Sequence, residues 1–92
     1  MRIGAHIVVE GLVQGVGFRY YVHRHATSLG LTGSARNRYD GSVEIEVEGE
    51  RSVIEEFIKM AKVGPRSAQV TNLVIEWKDF QNRYSRFEIH EG

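Results

Sequence analysis

Cysteine is absent from this sequence of 92 residues. Disulfides, thiolate nucleophiles and cysteine-type zinc sites are therefore excluded. An excess of charge of either sign is lacking too, because lysine plus arginine and aspartate plus glutamate each number 12. Proteins that bind nucleic acid carry a basic surplus on one surface. The composition therefore argues against a nucleic-acid partner.

Long apolar runs are also missing. No stretch approaches the roughly 20 residues that a membrane helix requires. Residues 1–10 lack the basic segment followed by an apolar core that marks a signal peptide. We therefore expect no membrane partner and a location in the cytoplasm. The length suits one domain over residues 1–92, and we expect a monomer.

Hydrophobic periodicity divides the chain into strand, helix, strand, strand, helix, strand and strand. Strands are predicted at 5–13, 32–39, 43–48, 68–77 and 85–90, and helices at 18–29 and 53–63. This order is typical of the ferredoxin-like α/β sandwich, an α+β fold in which two helices cover one face of an antiparallel sheet. Here a C-terminal strand is added. The first two strands of that fold run parallel with the third between them, so the loop after the first strand meets the end of the second.

The strands at 32–39 and 43–48 are predicted to form a hairpin. A three-residue loop at 40–42 would pair Arg38 with Glu44 and Arg36 with Glu46. Opposite charges would then face each other across the strands, which stabilises a hairpin. The same register places Asn37 on the sheet face that meets the helices.

The second helix begins with a capping motif. Ser52 stands where an N-cap hydroxyl accepts a hydrogen bond from the backbone, and Glu55 completes a Ser-x-x-Glu capping box. An apolar stripe follows at helical spacing. Its members are Ile54, Phe57, Ile58 and Ala61.

The segment 11–19, which joins the first strand to the first helix, reads Gly-Leu-Val-Gln-Gly-Val-Gly-Phe-Arg. Gly15 and Gly17 allow backbone N–H groups to converge at a helix N-terminus, an arrangement that binds anions. Arg19 opposes the helix dipole there by about 0.3–1 kcal/mol, but its planar fork suits a phosphate guest. Taken alone, a G-x-G turn is more often only a tight turn, and this segment is neither a Walker loop nor a full dinucleotide fingerprint.

The same segment resembles the signature of the acylphosphatase family, which is approximately G-x-V-Q-G-V-G-F-R. The resemblance continues, in order and at family spacing, through Ala26, Leu29-Gly30-Leu31, Gly33, Arg36-Asn37, Asp40-Gly41, Val43-Glu44, Gly64-Pro65, Ala68, Val70, Phe87 and Ile89. One departure is Ser34, where the family commonly has an aromatic residue.

The resemblance implies an enzyme that hydrolyses acyl phosphates, small-molecule substrates, without metal or cofactor. It assigns catalysis to Arg19 and Asn37. It assigns phosphate binding to the loop formed by Gln14, Gly15, Val16, Gly17, Phe18 and Arg19. The chemistry of acyl phosphates agrees with a site that has no general acid, because the leaving carboxylate has a conjugate acid of pKa about 4 and departs unprotonated. Loop amides and the Arg19 guanidinium would neutralise the phosphoryl oxygens, while the Asn37 amide would orient an in-line water.

Three other functions are compatible with the fold class. An RNA-binding module would need stacking aromatics on its central strands, but Glu44, Glu46 and Glu48 make that face acidic. A regulatory domain would bind anions at the loop without turnover, which leaves the presence of both Arg19 and Asn37 unexplained. A domain of a larger hydrogenase-maturation enzyme is the third alternative. We predict no metal site.

Overall fold

The computed structural model of the protein describes residues 1–91. Its elements are β1 (Arg2–Leu12), α1 (Phe18–Ser28), β2 (Thr32–Asn37), β3 (Val43–Glu50), α2 (Arg51–Val63), β4 (Gln69–Lys78) and β5 (Phe87–His90). Their order is the predicted one. β1 begins three residues earlier and ends one residue earlier than expected, and its pairing with β4 shifts register between Glu10 and Gly11.

The five strands form one sheet in the order β4-β1-β3-β2-β5. β3 lies between β1 and β2 and is antiparallel to both, and β4 is antiparallel to β1. The predicted ferredoxin-like α/β sandwich is confirmed. The added C-terminal strand pairs parallel with β2, so the sheet is mixed rather than wholly antiparallel.

The core lies between the helices and one face of the sheet. Alternate residues of β1 and β3 are buried on that face, and they pack against the buried stripes of the two helices. The largest fully buried side chains are Phe18, Phe57, Ile7, Ile45 and Ile54. Each contributes about 1.5–3 kcal/mol through removal of its surface from water. Phe18 opens α1 and therefore anchors the start of that helix in the core.

The other sheet face is polar, and part of the segment between β4 and β5 is bonded to it. The carboxylate of Glu48, only 6% exposed, accepts hydrogen bonds from the backbone N–H groups of Gln81 and Arg83 at 2.7 and 2.9 Å. On the same face, His6 Nε2 lies 2.6 Å from Glu44 Oε2. The acidic row predicted on β3 is therefore engaged by other residues of this chain.

The hairpin register was predicted wrongly by two residues. Arg36 lies opposite Glu44, not Glu46, and the backbone N–H of Arg38 donates to the carbonyl oxygen of Ser42 at 2.9 Å. The turn is closed one residue earlier because Asp40 Oδ1 accepts hydrogen bonds from both the N–H and the hydroxyl of Ser42. The parity of the pairing is unchanged, so Asn37 lies opposite Val43 on the predicted face.

The capping box at the start of α2 was also predicted wrongly. The helix begins at Arg51 with Glu50 as its N-cap, and no side chain caps it. The backbone N–H of Arg51 donates instead to the carbonyl oxygen of Met1 at 3.0 Å. β3 runs directly into the helix beside the chain's N-terminus, which supplies a backbone acceptor where a serine was expected. The Glu55 carboxylate lies 3.4 Å from Arg51 Nε.

Candidate active site

The loop between β1 and α1 turns on two glycines in the left-handed region. Gly15 has φ 73° and Gly17, the N-cap of α1, has φ 76°. Residues with a Cβ adopt this conformation at a cost. Gly17 offers no side chain to the helix, and no acidic residue stands in the first turn of α1. The first N–H groups of the helix are therefore uncapped by side chains and carry the positive end of its dipole.

Space is open in front of this turn. A Cβ built on Gly15 or on Gly17 would meet no atom within 4 Å. Behind the turn, Phe18 is buried and Val16 packs against the core. Residues on either side thus hold the loop, and its glycine backbone faces outward, as a site for an anion requires.

Gln14 joins this loop to the β2–β3 hairpin through its side chain. Its amide Nε2 donates to the carbonyl oxygen of Arg38 at 2.5 Å and to that of Ser42 at 2.9 Å. The two segments that the topology brings to one sheet edge are thereby bonded to each other. On the hairpin side, the Ser42 hydroxyl donates a hydrogen bond to the Asp40 carboxylate. This bond fixes the turn and lowers the pKa of Asp40.

A depression of about 690 Å³ opens between the loop and the hairpin. Its lining residues are Gln14, Arg36, Asn37, Arg38, Tyr39 and Asp40. The structure thus brings Asn37 to the same surface as the predicted loop. The Oδ1 atom of Asn37 is buried and has no hydrogen-bond partner among residues 1–91. A buried acceptor without a partner costs about 1–3 kcal/mol.

Arg19 lies outside the lining of this depression. Its Nη1 donates to the carbonyl oxygen of His90 at 2.9 Å, at the end of β5. His90 pairs in register with Arg36, the residue before Asn37. The guanidinium is therefore held one strand away from Asn37, at the same end of the sheet.

The two arginines of the depression differ in their partners. Arg36 Nε is 2.6 Å from Glu44 Oε1, whereas Arg38 Nη2 is 3.9 Å from Asp40 Oδ2. Glu44 also bonds to His6, and the hydrogen bonds from His6 and then from Arg36 lower the pKa of the Glu44 carboxyl. Arg36 is thus committed to the polar face of the sheet, while Arg38 is the less engaged cation.

Ser34, the departure from the family pattern, lies away from the candidate site. It belongs to β2 and is 6% exposed. Its hydroxyl contacts the Tyr84 hydroxyl at 3.4 Å, so an aromatic ring from the segment between β4 and β5 lies beside it on the polar face. The presence of serine instead of an aromatic residue therefore affects packing on the polar face of the sheet, opposite the face that carries Asn37.

Sequence reasoning missed the side-chain contacts of Gln14 and the place of Arg38 and Tyr39 in the lining of the depression. For Gln14 it assigned only the backbone amide, although a polar side chain between Val13 and Gly15 was a signal for a bond beyond the loop. Among residues 1–91, no three His, Asp or Glu side chains are grouped so that they could hold a metal ion. In the same range, every helix is too short or too polar to cross a bilayer.

This chain is similar to known proteins in both sequence and structure. The acylphosphatase family profile matches residues 5–89. An acylphosphatase of Caldanaerobacter subterraneus subsp. tengcongensis is 46% identical over 90 residues, which are 98% of this chain and 100% of that protein. An acylphosphatase of Caldivirga maquilingensis is 51% identical over 88 residues, covering 95% and 93%. The crystal structure of acylphosphatase from Bacillus subtilis superposes with a TM-score of 0.93 at 36% identity, covering 96% of this chain and 98% of that one.

Proposed function

Since the chain belongs to the acylphosphatase family, we propose that Arg19 and the amides of residues 14–19 bind the phosphoryl group of the substrate and that Asn37 orients the attacking water. The reaction is the hydrolysis of the carboxyl-phosphate bond of an acyl phosphate to a carboxylate and inorganic phosphate. The observation that carries the proposal is the position of Asn37 in the lining of the depression that Gln14 also lines, with a buried amide oxygen that has no partner among residues 1–91.

The proposed step is a single in-line displacement. The water oxygen forms a bond to phosphorus while the bond from phosphorus to the acyl oxygen breaks, and the carboxylate leaves with that electron pair. The water proton passes to solvent or to a phosphoryl oxygen. Because the conjugate acid of the leaving group has a pKa of about 4, no general acid is needed. A loose transition state also asks little of a base, so a neutral amide that only orients the water is sufficient.

In this mechanism the loop and Arg19 stabilise the negative charge on the phosphoryl oxygens. The uncapped N–H groups at the start of α1 supply donors and a positive dipole end. Arg19 carries the full positive charge, in the first turn of the same helix, and among residues 1–91 its side chain is hydrogen-bonded only to a backbone carbonyl. A guanidinium released from a neutral partner loses no ion pair when a phosphate arrives, so the substrate competes for it on favourable terms.

The test is to separate the two residues by their effects on binding and on turnover. Arg19→Ala should weaken competitive inhibition by inorganic phosphate and also lower kcat, by roughly 10²–10³ as for other lost charge-stabilising donors. Arg19→Lys should be poor too, because a point charge lacks the planar fork. Asn37→Ala should lower kcat steeply and leave phosphate affinity nearly intact. Near-normal kcat in Asn37→Ala, or equal loss of phosphate binding in both alanine variants, contradicts the assignment.

We propose further that catalysis needs no metal or cofactor. In support, the leaving carboxylate departs without a general acid, and the proposed hydrogen-bond donors to the phosphoryl group are backbone amides and the Arg19 guanidinium. The measurement is hydrolysis of benzoyl phosphate after exhaustive EDTA treatment, with full activity expected. Activity that disappears and returns only with a divalent ion contradicts this.

We also infer one domain over residues 1–92, a monomer with no nucleic-acid partner, working in the cytoplasm. A single core cluster supports the first inference. Equal numbers of acidic and basic side chains support the absence of a nucleic-acid partner, and the absence of cysteine fits a reducing compartment. Light scattering on the purified protein, with a mass of 10.5 kDa for the monomer, tests the oligomeric state.

A further inference from the structure

We propose that the depression beside Asn37 also admits a small hydroxy acid, so that the enzyme transfers the phosphoryl group to an alcohol as well as to water. The inference rests on the proposed function, in which Asn37 holds the nucleophile. It adds a second activity, phosphoryl transfer from an acyl phosphate to the hydroxyl of a carboxylate-bearing acceptor, and it assigns the carboxylate to Arg38.

The geometry of displacement decides what this depression holds. The attacking and leaving oxygens lie roughly in line on opposite sides of phosphorus. If Asn37 orients the nucleophile, the space on its side belongs to the nucleophile and the acyl group leaves on the other. The depression that Asn37 lines measures about 690 Å³ and is open to solvent. One water occupies about 30 Å³ of liquid, so the wall of the site does not limit the nucleophile to water.

The chemistry at Asn37 does not select water either. A side-chain amide has one acceptor and two donors, and a hydroxyl group meets it in the same way as water does. In the transfer, the alcohol oxygen forms a bond to phosphorus, the acyl oxygen leaves as a carboxylate with its electron pair, and the hydroxyl proton passes to solvent. Acyl phosphate and alcohol thus give a carboxylate and a phosphate monoester, with no oxidant or further reactant.

The charge of the lining points to the class of acceptor. Arg36 is bonded at 2.6 Å to Glu44, but among residues 1–91 the nearest carboxylate oxygen to Arg38 is 3.9 Å away. That carboxylate, on Asp40, is itself bonded through its other oxygen to Ser42. Arg38 follows Asn37 in the chain and lines the same depression. An acceptor with its hydroxyl at Asn37 and a carboxylate at Arg38 would use both groups.

The experiment measures how the phosphoryl group is divided between water and the acceptor. Wild-type enzyme acts on benzoyl phosphate in the presence of glycolate or, as the uncharged match, ethylene glycol at equal concentration. Phosphorus NMR then quantifies the phosphate monoester and inorganic phosphate. We expect phosphoglycolate above the enzyme-free background and a partition to glycolate about tenfold higher than to ethylene glycol, as one charge-assisted hydrogen bond would give.

Two variants make the assignment specific. Arg38→Gln should reduce the partition to glycolate to the level of ethylene glycol, whereas Lys59→Gln, which removes one charge from the exposed surface of α2, should not change it. The partition is a ratio within one reaction, so it does not depend on the overall rate of a variant.

The outcomes separate this inference from the proposed function. Formation of inorganic phosphate alone, at any acceptor concentration and with hydrolysis continuing, overturns the inference. Equal partition to glycolate and ethylene glycol overturns the proposal that Arg38 binds the carboxylate of the acceptor. Failure of the proposed function itself would appear elsewhere, as near-normal kcat in Asn37→Ala, and the wild-type partition does not depend on that variant.

Discussion

Arg19 and Asn37 are held by contacts of different strength. Asn37 ends β2, where the pairing of that strand with Val43 fixes its backbone. Arg19 reaches its only hydrogen-bond partner in residues 1–91, the His90 carbonyl, through a long flexible side chain. A water-orienting group must stay within a narrow geometry, whereas a cation can follow a phosphate as it binds. The difference in anchoring therefore matches the roles proposed for the two residues.

Glu44 is the residue whose charge state should affect stability most clearly. Hydrogen bonds from His6 and then from Arg36 lower its pKa in the folded protein. As pH falls, the unfolded chain thus takes up a proton at this position before the folded protein does. The stability that Glu44 provides is complete above its ordinary pKa, near 4.3, and is lost as the pH falls through the lowered value.

Glu44→Gln should consequently lower the Tm at pH 7, and in acid the Tm of the variant should equal that of the wild type. We expect the difference from wild type to shrink from about pH 5 downwards and to vanish below the lowered pKa. Thermal denaturation at pH 7, 5 and 3 measures it. Glu55→Gln is the matched control, because Glu55 faces solvent on α2 with one ion pair to Arg51, worth about 0.3–0.5 kcal/mol. A Tm difference for Glu44→Gln that is constant with pH would refute the charge argument.

At the scale of elements, the start of α1 is the part that the proposed phosphate site uses most. Gly17→Asn tests it, because asparagine tolerates the left-handed conformation and is a favourable N-cap. The fold should persist, while the new side chain occupies the open space in front of the loop, where the phosphate is proposed to bind. We expect kcat/KM to fall by roughly 10², the size of a lost oxyanion donor, with Tm nearly unchanged.

Gly30→Asn is the control for this change. Gly30 follows the other end of α1 at φ 74°, and a Cβ there also meets no atom within 4 Å. The backbone cost is therefore matched, but no phosphate donor lies at that end. Equal activity in Gly17→Asn and Gly30→Asn would show that the loop is only a turn.

The same elements show how far local sequence signals reach. All seven elements followed from periodicity, because alternation and helical spacing report which face is buried. The hairpin register was missed although the bond between Asp40 and Ser42 is local, and Gln14, which also holds the turn, bridges to it from another loop. The cap of α2 was missed as well, because its acceptor is the carbonyl of Met1, about fifty residues away in the chain. Contacts between distant segments leave no local pattern to read.

For the whole molecule, topology was the most informative prediction. Placing β3 between β1 and β2 was sufficient to expect the loop after β1 beside the end of β2, and the structure has Gln14 and Asn37 lining one depression there. The residue roles came from resemblance to a family, and they stay predictions. The orientation of Arg19 toward His90 could not be expected, because it depends on the parallel pairing of β5, a strand of only four residues.

Ligand binding should be visible in the stability of the whole protein. A ligand that binds only the folded state raises the free energy of unfolding by RT ln(1 + [L]/Kd), which is about 1.4 kcal/mol at ten times Kd. For a domain of this size, that corresponds to a rise in Tm of about 6–11 °C. Inorganic phosphate, which is both a product and the anion the loop is proposed to bind, should therefore raise the Tm and act as a competitive inhibitor with a matching constant.

Phosphate also stabilises proteins without a site, because it is excluded from their surface. Arg19→Ala in the same phosphate series removes this ambiguity, since exclusion from the surface is unaffected by one side chain whereas the proposed site loses its cation. We expect the rise in Tm to saturate for the wild type and to be small and unsaturated for Arg19→Ala. Identical curves for the two proteins would mean that phosphate does not bind where Arg19 and the start of α1 come together, and the assignment of the loop would then be wrong.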